Sequence, residues 1–373
     1  MTTPSSKLVR PAASRPEVSV IVPARNEEVS LPACLESLIG QSGIPQTGVA
    51  FEIIVIDDHS TDRTHEIASS FPQVRVIEAA PLPLGWSGKN NAVATGAREA
   101  RGEWLLFTDA DTVHLPGSLA RSLAEAKERD VAMLSYSPEQ IVGTCWEKAV
   151  MPVIFAELAS LYPLAKVSDP DSSAAAANGQ YILIRRDAYQ SIGGHAAVAG
   201  DLLEDLALAR KLKQSGHKIF FRYGGDAVRT RMYRGFVQLR EGWTRSLTIL
   251  FPSPRRLALR SVFAWMLAWA APIFAVLLVP HRSTLLRALA IFVCCIPFAW
   301  LYARIHGANF FLGVEFLSMA FGPPMFAYFL FRSAHAHRQK NVVWKGRHYA
   351  ESQTRQAHPP PAKSERRELA TEN

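Results

Sequence analysis

Three acidic pairs and one lysine-bearing loop are the residues of this chain whose types and spacing could do chemistry. Asp109-Ala110-Asp111 follows the apolar run WLLFT. Two carboxylates two positions apart at a strand end can share a metal and a ribose. A hard divalent cation takes oxygen ligands and often keeps phosphate oxygens in its shell, which suits the diphosphate of a nucleotide. A solvated turn would use the same D-x-D. Asp57-Asp58 ends EIIVIDD and precedes His59-Ser60-Thr61. Ser60 or Thr61 suits the N-cap of a helix running through Ile67. Two acids are more than a cap needs, and a carboxylate there can accept the imide N–H of a uracil-like base. Glu204-Asp205 opens a stretch in which Leu206, Leu208 and Leu212 mark an apolar helix face. Acids in a first turn are favoured by the helix dipole; the same place suits a general base beside an acceptor hydroxyl. GWSGKNNA, residues 85–92, reads as a turn into a helix begun by Ser87 or Gly88, or as a loop from which Lys89 reaches a phosphate.

These residues need a scaffold that brings strand ends together. VSVIVPA, EIIVIDD, VRVIEA and EWLLFT are near-continuous β-branched or apolar runs, the pattern of strands covered on both faces of a parallel sheet. Helical stretches lie between them, roughly at Ser30–Ile39, from Ser60 or Thr61 through Ile67, and at Lys89–Ala100. The alternation predicts an α/β, doubly wound, mostly parallel sheet with ligands at the carboxyl ends of its strands. No G-x-G-x-x-G follows the first strand, which disfavours a dinucleotide oxidoreductase.

The net charge of +8 over 373 residues hides two poles. Residues 1–206 sum to −10 and residues 207–256 to +10, while 257–331 carry +3 and 332–373 carry +5. An acidic globule followed by a basic collar and a basic tail suits an anionic membrane surface and excludes a nucleic-acid partner. Ser261–Val279, Ala288–Ala303 and Gly307–Phe331 are almost free of charge. A crossing helix needs ~20 apolar residues, so the first and third qualify and the second is short. Arg255, Arg256 and Arg260 in the collar and Arg338, Lys340, Lys345 and Arg347 in the tail all favour the cytoplasmic side. Three crossings would separate them, so one segment is re-entrant or interfacial, or the tail crosses despite its charge. The expected organisation is a loose tail over 1–16, an α/β domain over 17–256, a transmembrane helical region of two or three spans over 257–331, and a basic cytoplasmic-type tail over 332–373. Four scattered cysteines form no disulfide framework or zinc spacing and suit a reducing compartment.

Taken in order, VSVIVPARNEE (18–28), IDDHSTDRT (56–64), GWSGKNNA (85–92), FTDADT (107–112), NGQYILIRRDAY (178–189) and LEDLALARK (203–211) resemble the family 2 glycosyltransferases of the GT-A fold. RTRMYRGFVQLREGW (229–243), the hydrophobic helices and VVWKGRHY (342–349) resemble a membrane-bound branch that includes carotenoid and hopanoid-associated enzymes. The resemblance implies a nucleotide-sugar donor, most readily a UDP-sugar, a Mg²⁺ or Mn²⁺ ion, inversion at the anomeric carbon and a membrane lipid acceptor. It implies a multi-pass protein of the cell inner membrane with its catalytic domain in the cytoplasm. Carried over by position, Pro23, Arg25 and Glu27 line the nucleoside pocket, Asp58 with Asp57 beside it reads the base, Asp109 holds the ribose side and Asp111 the metal. Asp205 becomes the general base with Glu204 next to it. Beside that set, Arg240 or Arg245 reaches the diphosphate, or both belong to the lipid-facing basic collar.

The segment Gln238-Leu239-Arg240-Glu241-Gly242-Trp243-Thr244-Arg245 departs from the Q/R-x-x-R-W of processive synthases, which weakens that alternative. A non-catalytic membrane scaffold is the other one, and the complete set of acids argues against it. Val150–Ala165 reads as a core helix or as an interfacial helix feeding a lipid to Asp205. His195 contacts an acceptor or is a loop histidine, and Trp344–Arg347 anchors at the interface or serves the donor.

Overall fold

In the computed structural model, the β-branched runs form strands. The structure describes residues 15–43, 48–278, 284–307, 314–339, 341–344 and 347–349; most of the two tails, with Lys340 and Lys345, lies outside them. Strands β1 (Val18–Ala24), β2 (Phe51–Asp57), β3 (Val74–Glu78) and β4 (Trp104–Phe107) are mutually parallel in the order β3-β2-β1-β4. Next come β5 (Thr112–His114), β6 (Met133–Ser137), β7 (Glu139–Gln140), β8 (Ile182–Arg185), β9 (Ile219–Tyr223) and β10 (Val228–Thr230). The large sheet continues through β8, antiparallel to both neighbours, to β6 and β9, while β5, β10 and β7 form a small second sheet. Helices α1 (Leu31–Ile39), α2 (Thr64–Ser69), α3 (Gly88–Glu99) and α4 (Ser118–Glu128) follow strands in the first half. Two apolar cores, one on each face, cover the large sheet. That is why its strands read as continuous rather than alternating runs.

The capping of α2 differs from expectation. Its N-cap position is Arg63. Ser60 and Thr61 instead join two loops: Asn26 N–H donates to Ser60 Oγ at 3.1 Å and Thr61 N–H to Asn26 Oδ1 at 2.9 Å. The hydroxyls compete for cross-loop partners that only the fold brings near. In α3 the expected cap is present, with Ser87 Oγ accepting from Asn90 N–H at 3.1 Å.

A third core lies away from the sheet, built by α5 (Cys145–Leu161), α9 (Phe236–Leu250), α10 (Pro254–Leu278), α11 (Thr284–His306) and α12 (Glu315–Arg338). Between α5 and α9 the chain forms α6 (Leu164–Ser168), α7 (Arg186–Ser191) and α8 (Glu204–Gln214). Among the described residues one helical segment, Ala288–His306, is long and apolar enough to cross a membrane. It is the run read as short, because the helix continues past Arg304. The third run behaves differently. Its helix begins only at Glu315, contains Pro323 and Pro324, and buries one face against α5 and α9. A hairpin of β11 (Val342–Trp344) and β12 (Arg347–Tyr349) follows, with β11 beside α9.

Candidate active site

Two adjoining cavities open at the carboxyl ends of β1, β2 and β4. The first, of about 440 Å³, is lined by Pro23, Arg25, Glu27, Asp58, Asp109 and Asp111, together with Lys89 and Arg245. Strand register explains the gathering: Ala24 pairs with Asp57 across β1 and β2, and Phe107, at the end of β4, lies opposite Ile21. Arg25 bridges the two loops, its guanidinium donating to the carbonyl of Asp58 at 2.6 Å and of His59 at 3.1 Å. Asp57 is not on the wall. Its carboxylate accepts the Ser60 N–H at 3.1 Å and pairs with His65 at 3.3 Å, so it shapes the loop that presents Asp58.

The second cavity, of about 300 Å³, holds Glu204 and Asp205 at its polar end. Phe155, Leu158, Leu203, Trp243 and Leu250 supply apolar wall, and Gly307, just past the end of α11, also lines it. The core reading of Val150–Ala165 is met by α5, which ends at Leu161: Val150 and Ile154 are buried in the third core while Phe155 and Leu158 line the cavity. His195 is buried instead, donating or accepting at Tyr189 Oη at 2.9 Å and stacked edge-on against Phe107. Burial pushes its imidazole down to about 4, so it is a neutral packing group.

Lys89 joins the cavities. Its ammonium lies 2.8 Å from Asp109 Oδ1 and 2.8 Å from Glu204 Oε1, so two carboxylates engage its charge where it lines the first cavity. Burial opposes the lysine charge, but the two acids prevail and raise its pKa. Burial likewise opposes the Glu204 carboxylate, and Lys89 holds it below the usual range. Asp205 goes the other way: burial first and the Glu204 charge second push it up to about 6. Asp205 accepts the Gly179 N–H at 3.0 Å and the Leu206 N–H at 2.8 Å. Gly179 leaves Lys89 its room, since a Cβ there would stand 3.1 Å from Lys89 Nζ and 3.6 Å from Asp205 Oδ2. The loop before α8 is tied to the same helix turn by Asn90, whose amide donates to Val198, Ala199 and Asp201 carbonyls at 2.9, 3.0 and 3.0 Å.

The Glu241-Gly242-Trp243 segment of α9 divides its work by face. Glu241 lines the first cavity and Trp243 the second. Gly242 leaves room for the buried Tyr233 ring, which a Cβ would meet at 2.4 Å. Arg245 lines both cavities and Arg240 neither. Sequence reasoning did not single out Arg231, which lines the first cavity and pairs with Glu147 at 3.4 Å. Glu147 is buried at the start of α5, where its N–H donates to Thr144 Oγ1 at 3.3 Å and its carboxylate accepts the Thr144 hydroxyl at 2.7 Å and the Gly143 N–H at 2.8 Å. Threonine followed three residues later by glutamate was a legible signal, but the partner arginine was not.

Residues 19–193 match the family model for glycosyl transferase family 2. Over those residues, just under half of the chain, it is similar to that family. Along its length the chain is 25% identical to 4,4'-diaponeurosporenoate glycosyltransferase of Staphylococcus aureus strain USA300, over 89% of this chain and 88% of that protein. Among solved structures, a mannosyltransferase of Pyrobaculum calidifontis in complex with GDP-Man and Mn²⁺ is 20% identical over 87% of this chain and 88% of that one, with a TM-score of 0.48. TarS 1-349 of S. aureus in complex with UDP-GlcNAc is 18% identical over 87% and 92%, with a TM-score of 0.40. The family match ends before Glu204, so the proposed base lies on the segment that follows it.

Proposed function

We propose that this chain is a family 2 glycosyltransferase that moves one sugar, with inversion, from a nucleoside diphosphate sugar to the hydroxyl of a membrane lipid. The observation that carries the reading is the meeting of a polar, carboxylate-lined cavity with an apolar one at Lys89, Asp109 and Arg245. The donor occupies the first cavity. Asp58 accepts the imide N–H of uracil, so a UDP-sugar is the donor favoured here. The acceptor chain lies in the second cavity, with its hydroxyl at Asp205. The relative's name refers to a carotenoid acid, and a polyisoprenoid acceptor fits the apolar wall.

Asp205 accepts the hydroxyl proton as the acceptor oxygen attacks the anomeric carbon. The bond from that carbon to the diphosphate oxygen breaks on the opposite side, which inverts the configuration. Arg245 and Arg231 face the leaving diphosphate and offset its charge. Asp111, beside Asp109, fits a Mg²⁺ or Mn²⁺ ion that completes its shell with phosphate oxygens and water, since such ions need only one or two protein carboxylates. Among the described residues no group of three or more His, Cys, Asp or Glu is arranged for a metal. A resident all-protein site is therefore not part of the reading; the cation would arrive with the donor and neutralise the diphosphate. The exposed apolar side chains of α10 and α11 and the arginines at the start of α10 support a membrane location, with the catalytic domain on the cytoplasmic face.

The test is to incubate the full chain in membranes with each of a panel of nucleotide sugars and Mn²⁺, then to analyse the lipid extract by mass spectrometry. One added hexose on an isoprenoid lipid is expected. A water-soluble polymer, or no binding of any nucleoside diphosphate, would overturn the proposal.

A further inference from the structure

The hydrophobic third of the chain contains three long helices, but their surroundings differ. Residues along α9 and α10 meet α12 in reverse order. Trp269 Nε1 donates to the Met319 carbonyl at 3.3 Å and Trp265 Nε1 to the Ala320 carbonyl at 2.9 Å. Phe251 packs on Phe326, Thr248 Oγ1 donates to Ser333 Oγ at 2.8 Å, and His337 Nε2 sits 2.8 Å from the Arg245 carbonyl. α12 therefore runs back toward the active site and ends beside Arg245, which lines both cavities. Ser318 donates to the Ala149 carbonyl at 2.8 Å, tying its first turns to α5.

α10 and α11 are different. Phe263, Ile273 and Leu277 on α10 and Leu289, Phe292 and Ile296 on α11 are all more than half exposed. Lipid satisfies such side chains where water does not. At 23 residues, α11 is ~34 Å long at 1.5 Å per residue, enough for the ~30 Å hydrocarbon layer, and α10, at 25 residues, is ~37 Å long with no charged residue after Arg260. Both helices are clamped at one level, where Glu157 of α5 pairs with Arg260 at 2.9 Å and Arg304 at 2.8 Å. Arg255 and Arg256 stand next to that clamp, where anionic headgroups would meet them.

We propose that α10 and α11 form a hairpin that crosses an anionic bilayer and returns, that α12 is not a third crossing, and that the chain leaving α12 emerges on the catalytic face. This rests on the membrane location proposed above. It brings the basic collar and the end of α12 to one side, and so resolves the conflict that three crossings create.

The test is membrane-impermeant maleimide labelling of the full chain in spheroplasts, before and after permeabilisation, with labelled positions read by mass spectrometry. Cys145, which is exposed at the start of α5, marks the catalytic face without substitution. Arg256→Cys and Arg338→Cys should behave like Cys145 and gain at least tenfold in labelling on permeabilisation. Thr284→Cys, at the start of α11, should react in intact spheroplasts. Arg256→Cys and Arg338→Cys reacting on opposite sides would overturn the topology, as would Thr284→Cys reacting on the same side as both. Release of the chain from membranes by alkaline carbonate would instead overturn the membrane location itself, a result distinct from either labelling pattern.

Discussion

Lys89, in the first turn of α3, and Glu204, the first residue of α8, are distant in sequence and meet at 2.8 Å. The contact keeps Glu204 ionised, and the Glu204 charge helps raise Asp205 to about 6. A base works only when deprotonated, so kcat should fall as pH drops below about 6 and level off above it. Glu204→Gln removes a neighbouring negative charge and should move this acid limb to lower pH. Lys89→Met removes a cation that favours the carboxylate and should move it to higher pH. Rate profiles for the three proteins check both directions, and shifts of the opposite sign would rule out the assignment of the limb to Asp205.

Asp205→Asn keeps the size and loses the proton acceptor. Turnover should drop by about 10²–10⁴-fold, the usual contribution of a positioned base, while UDP affinity in the presence of Mn²⁺ changes little. Nucleotide release assays and calorimetry separate the two. Undiminished turnover in a folded variant would remove Asp205 from the chemistry.

Gly179→Ala places a methyl group 3.1 Å from the Lys89 ammonium. Lys89 must shift, and with it the carboxylates on both sides. The shift is a few tenths of an ångström, well short of the ~1 Å misplacement that costs about 10²-fold in rate, so kcat should fall several-fold while Tm stays nearly unchanged. Circular dichroism melting and steady-state kinetics on the same preparation provide the check.

Arg245→Ala and Arg240→Ala discriminate between two arginines that the sequence presents as equals. Arg245 lines both cavities, and a charged hydrogen bond contributes about 1.5–3 kcal/mol. Its loss should weaken UDP binding by about tenfold or more and raise the donor KM. Arg240→Ala should leave both nearly unchanged. Equal effects in the two variants would contradict the geometry.

Much of the first cavity was legible from residues alone. Strand runs ending in acids announce a sheet whose carboxyl edge gathers them, because each parallel strand delivers its last residues to the same side. Pro23, Arg25, Glu27, Asp58, Asp109 and Asp111 meet on one wall for that reason. Asp57 was inseparable from Asp58 in sequence, since neighbours on a strand point to opposite faces and only the register says which faces the cavity.

What the sequence by itself determined was the class of fold, the acids, and the separation of an acidic globule from a basic, hydrophobic remainder; these depend on local pattern and composition. Tertiary structure alone decided the partners. Lys89 bridges Asp109 and Glu204 because the first turn of α3 faces the first turn of α8. Arg245 was separated from Arg240 by the orientation of α9, and α12 was drawn against α5 and α9 despite reading as a crossing. Hydropathy measures how apolar a helix is. Whether protein or lipid covers it depends on which neighbours arrive, and that is a property of the folded chain.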